Sequence, residues 1–291
     1  MKKIVSILLC ALTLLIVFPI TSHADVGPKP SVIIDFSGLE SRSYYATLLS
    51  SEKSTGPYSA LSENNADYAR YQQDDEQYDI FLKFAQYKDT DGFYFLQYFE
   101  DCSQTQRFSW TYYPPQRFKI LLYFPDTNTF LISSEPLERY AFDSYFTADI
   151  SSQDNAQMTV TKSYNYTNEI LSLIVRILLT IAIEILIALL FGFRQKKLFR
   201  FIVLVNIFTQ VALNTALGII DYYSGFLAFM IFYVLLEIAV FIIEAVLYTW
   251  YLRKYSEKKI SAFKPGIYAL TANAASFILG YMLAYWLPGI F

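Results

Sequence analysis

Residues 170–193 read ILSLIVRILLTIAIEILIALLFGF, and residues 194–200 read RQKKLFR. The first stretch has 24 residues, with only Arg176 and Glu184 ionisable. That exceeds the ~20 apolar residues needed to cross about 30 Å of hydrocarbon. The basic cluster then marks an end. Three further apolar stretches follow downstream, at 201–220, 226–252 and 266–287. Each is long enough to span, so a four-helix transmembrane domain is expected over 169–291.

The loops orient it. Arg194, Lys196, Lys197 and Arg200 fill loop 194–200, and Arg253, Lys254, Lys258, Lys259 and Lys264 fill loop 253–265. The loop at 221–225 has no base. An excess of Lys and Arg on one side predicts that those two loops are cytoplasmic. Residues 25–168 and the C-terminus are then extracytoplasmic. Trp250 and Trp286, with Tyr222, Tyr223 and Tyr251, fall near span ends as interfacial anchors do.

Upstream the character reverses. Residues 25–168 carry 20 acids and 11 bases, a net charge of −9, and no spanning run. The mean hydropathy of +0.30 thus averages a polar part and a membrane part. The N-terminus has the form of a secretory signal: Lys2 and Lys3, an apolar run, then Ser22-His23-Ala24. Cleavage after Ala24 removes His23 and Cys10. A chain with no His and only Cys102 excludes His-containing zinc sites, Ser-His-Asp triads and Cys-His pairs. It also excludes an internal disulfide. Cys102 is expected to be a buried small hydrophobe.

The expected fold class is an α+β multi-domain membrane protein, with a mainly-β, sandwich-like outer domain ahead of the bundle. Strands are expected at 31–36, 44–49, 93–99, 118–124, 129–133, 140–150 and 158–164. Ile80, Phe81, Phe84 and Tyr87 have helical spacing behind Asp74, Asp75 and Glu76, which predicts one helix; a hairpin turning at 88–92 is the alternative. Asp89-Thr90-Asp91-Gly92 begins like a calcium loop, but its glycine comes too early, and a turn is expected. Trp110, Tyr112 and Tyr113 are candidate ligand-binding aromatics, against the alternative that they fill a core. The acids of this region are expected to form a solvated surface rather than a catalytic dyad.

Ionisable residues inside spans are the sharpest signal. A charge at a helix centre costs about 2.5–3.5 kcal/mol on insertion scales, so it needs a partner or a role. Glu184, Gln210, Glu237 and Ser276 fall within about two residues of their span centres, roughly 3 Å along the axis. Asn273 lies about one turn inward. Glu244 and Asn206 share a more cytoplasmic level, and Arg176 and Asn214 an outer one. The candidate site is this polar layer, read either as a proton or small-cation site or as hydrogen-bond glue. Ala272, Ser276, Gly280 and Ala284 recur every four residues, a spacing that lets helices approach closely. No metal or cofactor is expected.

The start Asp25-Val26-Gly27-Pro28-Lys29-Pro30-Ser31-Val32 resembles that of a group of uncharacterised bacterial cell-envelope proteins. So does Asn206-Ile207-Phe208-Thr209-Gln210, followed by Glu237 and Glu244 in the next span. The resemblance implies a signal peptide, an outer domain, four C-terminal helices and shared polar positions, and carries no activity across. The expected partners are the lipid bilayer and a membrane-protein or envelope partner, with no nucleic acid. The expected function is non-enzymatic binding, assembly or sensing; the alternative is an oligomeric proton or small-cation conductor.

Overall fold

The computed structural model describes residues 27–39, 42–61, 70–151 and 157–286. The expected signal peptide, with Cys10 and His23, lies outside them. The β-rich part begins with β1 (Ser31–Ser37), β2 (Tyr45–Ser50), β3 (Ser54–Thr55) and β4 (Tyr58–Ser59). The helix α1 (Tyr78–Gln86) follows, then β5 (Tyr94–Phe95), β6 (Glu100–Asp101), β7 (Arg107–Trp110) and β8 (Arg117–Phe124). Last come β9 (Thr129–Ile132), β10 (Leu137–Glu138), β11 (Asp143–Ser151) and β12 (Gln157–Lys162).

One sheet has the order β12-β11-β1-β7, and a second runs β10-β8-β2-β5, with β6 also on β2 and β9 also on β8. β3 and β4 form a separate pair. β1 and β11 pair in parallel, from Ser31 opposite Asp143 to Ser37 opposite Asp149. The two main sheets enclose one core. Val32, Ile34, Phe108 and Phe146 come from the first, and Leu48, Phe118, Ile120 and Leu122 from the second. Phe118 meets Phe146 edge-on, with ring centroids 5.7 Å apart.

β8 is buried on both faces. Its residues 118, 120, 122 and 124 face that core, while Leu121 and Tyr123 join Phe81 and Phe84 of α1 in a second cluster. The helical spacing of Phe81 and Phe84 therefore did indicate a helix rather than a hairpin. Full burial of each such ring contributes about 1.5–3 kcal/mol. The 93–99 strand expectation shortens to Tyr94–Phe95, and the 140–150 strand begins at Asp143.

After β12 the chain enters α2 (Tyr166–Leu190), capped where the Asn168 N–H donates to Asn165 Oδ1 at 3.1 Å. α3 (Lys196–Tyr255) and α4 (Phe263–Trp286) follow, and the three helices pack on one another. α3 is broken at Gly225, with φ 78° and ψ 176°. Its arms, 196–224 and 226–255, run antiparallel, because Asn206 reaches Tyr248 and Thr209 reaches Glu244.

Two helices, α2 and α3, are long and apolar enough to cross a membrane by length and composition. The count differs from the expected four-helix transmembrane bundle: among the described residues two helical runs meet that description, and one of them, α3, is bent into two arms. The expected second and third spans are one helical run, because 221–224 stay helical and the turn contracts to a single glycine.

The helices are turned inside out relative to a water-soluble bundle. Leu190 is 84% exposed and Phe208 76%, while Glu184, Asn206 and Glu244 are fully buried. At one end, Gln195 Oε1 accepts from the Glu257 N–H at 3.3 Å, and Lys197 lies over the Tyr255 ring. The two basic loops therefore meet. At the opposite end sits the β-rich part: the Phe142 N–H donates to the Tyr222 carbonyl at 2.8 Å.

Candidate functional site

Asn206, Gln210 and Asn214 lie four residues apart along the first arm of α3, and all three are buried. The i, i+4, i+8 spacing puts them on one stripe. The stripe faces the second arm and α4, whose own polar residues meet it in two separate groups.

The first group surrounds Glu244. Thr209 Oγ1 donates to Glu244 Oε1 and Asn273 Nδ2 to Oε2, each at 2.7 Å. Both carboxylate oxygens are therefore satisfied at full burial, as a buried acid requires. Asn206 Nδ2 donates to the Tyr248 hydroxyl at 3.0 Å and also to the Ile202 carbonyl. Ser276 Oγ donates to the Asn273 carbonyl at 3.0 Å, which ties that side chain to its own helix.

The second group lines a cavity of about 30 Å³ toward the hinge end. Arg176 enters from α2, Gln210 and Asn214 from the first arm, Tyr233 and Glu237 from the second, and Ser276 from α4. Asn214 Nδ2 donates to the Gln210 carbonyl at 2.9 Å and to Gln210 Oε1 at 3.3 Å. That holds the Gln210 amide with its nitrogen free. Gln210 Nε2, Arg176 Nε and Glu237 Oε2 are buried and have no protein hydrogen-bond partner.

Glu184 borders the first group: Asn206 faces its carboxylate. Neither carboxylate oxygen makes a hydrogen bond of ordinary geometry, and the Tyr268 hydroxyl donates to its backbone carbonyl at 3.3 Å. It lies within electrostatic reach of Glu244 and Glu237. The single midplane layer expected from depth is therefore divided. Gln210, Glu237 and Ser276 join Arg176 and Asn214 around the cavity, while Glu184 lies beside the first group. Depth along a helix sets a residue's level, but rotation about the axis decides which neighbours it meets.

Thr209, Tyr233, Tyr248 and Tyr268 also take part, and the sequence reading passed over them. Three had a readable signal: Thr209 follows Asn206 by three residues, Tyr248 follows Glu244 by four and Tyr233 precedes Glu237 by four. Each shares a face with a polar residue already singled out.

Beyond Arg176 two larger cavities lie toward the β-rich part. One of about 470 Å³ is an open, mainly apolar groove with Ile170, Leu173 and Ile219 among its walls, joined by Arg176, Asn214, Tyr164, Glu169 and Tyr222. The next, of about 320 Å³, has Asp143, Glu169 and Asp221 among its walls, together with Tyr145, Tyr164 and Tyr222. Its negative character shows on Tyr164, whose phenol is pushed up by burial first and then by Glu169 and Asp221.

The remaining candidates have other places. Ala272 is fully buried between helices and Ser276 nearly so, in keeping with close packing; Gly280 and Ala284 lie outside the residues whose side chains are described. Trp110 fills the core, the alternative weighed for it: it is fully buried between the sheets, and its Nε1 donates to the Tyr112 carbonyl at 2.9 Å. Tyr112 is exposed and Tyr113 half-buried, ring edge against ring face. Asp89 and Asp91 form a turn that serves a role unseen in the sequence: both bind the buried Lys119 ammonium, Asp89 at 3.1 Å. Among the described residues no group of three or more His, Cys, Asp or Glu side chains could hold a metal ion. No protein-family model matches the chain, and neither a curated protein nor a solved structure does.

Proposed function

We propose that this chain is an integral cell-envelope protein that presents a non-enzymatic, β-rich binding or sensing domain on a membrane bundle. The observation that carries the reading is the seat of that domain on the hinge. Phe142 donates its N–H to Tyr222 and lays its ring on Gly225, so a displacement of β11 bears directly on the turn between two long apolar helices. A ligand that favours one position of the domain would thereby favour one arrangement of the arms, which is the energetic content of sensing.

The reading takes the bent α3 as two spans. Residues 196–224 and 226–255 would each extend roughly 44 Å at 1.5 Å per residue, enough to cross the hydrocarbon twice. With α2 and α4 that makes four spans, as the resemblance implies. Support comes from the exposed apolar surface of the helices and from the meeting of both basic loops at the end away from the β-rich part. The positive-inside bias then puts the bases in the cytoplasm and residues 25–168 outside.

Cysteine accessibility in intact cells tests this, in a Cys10→Ser, Cys102→Ser background. An impermeant thiol reagent should label Asp126→Cys and leave Lys258→Cys unlabelled until the cells are opened. The reverse pattern, or equal labelling of both, would overturn the topology. For the binding role, the full chain in nanodiscs should retain envelope glycan or peptide fractions that a Tyr112→Ala, Tyr113→Ala variant or a 25–168 deletion does not. Equal retention by the deletion would sink it.

A further inference from the structure

The three cavities share walls in series. Tyr164, Glu169 and Tyr222 line both the 320 Å³ and the 470 Å³ spaces, and Arg176 and Asn214 line both the 470 Å³ and the 30 Å³ spaces. The series begins among Asp143, Glu169 and Asp221 beside the β-rich part and ends at Glu237 inside the bundle.

The innermost space has the size and polarity of a water site. About 30 Å³ exceeds the ~10–15 Å³ that one water needs. Of the three lining atoms without a protein partner, Arg176 Nε and Gln210 Nε2 donate, and Glu237 Oε2 accepts when ionised. Gln210 is only 2% exposed, and its orphaned amide belongs to a residue of the cavity wall. A water that accepts from Arg176 and Gln210 and donates to Glu237 satisfies all three. A metal cation would meet the Arg176 guanidinium, and an apolar guest would leave every one of the three unpaired.

We propose that this string of cavities is a water-filled proton access path that opens beside the β-rich domain and ends at Glu237, where the bundle takes up and gives up a proton. On release the carboxyl O–H bond of Glu237 breaks and its electron pair stays on the carboxylate. The proton passes to the cavity water, and the water chain delivers it past Arg176 and Asn214 to the acidic mouth. Uptake is the reverse. Arg176 at the constriction disfavours any cation by charge, an excess proton included, so exchange with Glu237 is a slow equilibration rather than conduction.

The path stops at Glu237. Glu244 on the far side has both oxygens bonded by Thr209 and Asn273, and Glu184 lies off the cavity. The groups facing Glu237 are Arg176 and Glu184 on α2, Gln210 and Asn214 on the first arm, Tyr233 and Glu244 on its own arm and Ser276 on α4. The bundle is thus built to bind a proton from one side rather than to conduct it across. This deepens the sensing role and rests on the four-span reading; the cysteine labelling above tests that reading separately, so the two failures are distinguishable.

The test is infrared spectroscopy of the full chain in lipid nanodiscs, following the carboxyl C=O band with pH and after transfer to D₂O. A pH-responsive band that shifts in D₂O should be lost in Glu237→Gln and restored in Glu237→Asp. Asn214→Leu, which plugs the junction between the two inner cavities, should keep the band and slow its deuterium exchange by about tenfold or more, the rate factor of a lost hydrogen-bonded relay step. A responsive band that persists in Glu237→Gln would overturn the proposal. So would exchange at the wild-type rate in Asn214→Leu, which decides the matter alone if Glu237→Gln fails to fold.

Discussion

The ring of Phe142 lies so close to Gly225 that a Cβ on the glycine would come within 2.5 Å of two ring carbons. The same glycine holds φ 78° and ψ 176°, a backbone region that essentially only glycine occupies. One contact therefore links the start of β11 to the turn between the two arms of α3.

Gly225→Ala should destabilise the protein by about 1–3 kcal/mol from backbone strain alone, with the ring clash adding to it. Thermal unfolding in detergent measures the loss. Phe142→Ala in the same chain should recover the clash portion but not the backbone portion, so the double variant should melt between Gly225→Ala and wild type. A melting temperature for Gly225→Ala equal to that of wild type would remove the hinge from the account.

The hydrogen bonds to Glu244 make a second expectation. Asn273→Leu keeps the branched shape in a larger side chain but leaves Glu244 Oε2 without its 2.7 Å donor. An orphaned buried acceptor costs about 1–3 kcal/mol, more when charged. Thr209→Val should do the same at Oε1. Because both donors serve one carboxylate, the two losses should not add, and a double-mutant cycle on melting in detergent measures the coupling. Strict additivity would show that the residues do not act through Glu244.

Lys119 carries the third. Its side chain is 4% exposed and that of its partner Asp89 only 2%. Lys119→Met would leave Asp89 Oδ1 without its donor while Oδ2 keeps the Asp91 and Phe93 N–H groups, so the loss should fall at or below the about 3–5 kcal/mol of breaking a buried pair. The pair also sets a pH limit. Burial pulls the ammonium down, but hydrogen bonds to Asp91 and Asp89 more than offset it, and Lys119 ends above its ordinary 10.5. A group raised on folding gives its full stabilisation below the unfolded value and loses it as pH climbs through the folded one. Alkaline unfolding of the full chain, followed by the fluorescence of buried Trp110, should therefore steepen above about pH 10.5. Lys119→Met should lack that limb; an identical alkaline profile would contradict the assignment.

Cys102 gives the fourth. It is fully buried, and its thiol is pushed up by burial first, then by Glu100 and Asp101. Since the thiolate is the nucleophile, a neutral thiol at full burial should be inert near pH 7. In Cys10→Ser protein, maleimide labelling should be negligible without denaturant and should rise along the unfolding curve. Rapid labelling of the native protein would show that the core between the sheets opens readily.

Much of this was legible in the chain. Long apolar runs with basic loops announced the helices, and four-residue spacing put Asn206, Gln210 and Asn214 on one buried stripe. Apolar, β-branched and aromatic runs, with one alternating stretch, found seven of the twelve strands among the described residues, and Phe81 and Phe84 found α1. β3, β4, β6, β7 and β10 escaped, because two to four residues are too few to show a period. Whether Trp110 filled a core or faced a ligand stayed open, because a strand's two faces are equivalent until a sheet covers one of them. The ion pair of Lys119 was not readable within the 118–124 run, since the turn that neutralises it lies about thirty residues earlier.

The sequence by itself determined the order of a polar part and an apolar part, the loops in which the bases gather and the level of each polar residue along its apolar run. These follow from composition and helical rise, which are local. Only the tertiary structure decided that Glu244 is bonded at both oxygens, that neither oxygen of Glu184 makes a hydrogen bond of ordinary geometry, and that Glu237 shares a small cavity with Arg176 and Gln210. It also decided that one glycine, under the Phe142 ring, makes the turn where a five-residue loop was expected. Those outcomes depend on how helices rotate and how a distant strand seats against them, and packing sets both.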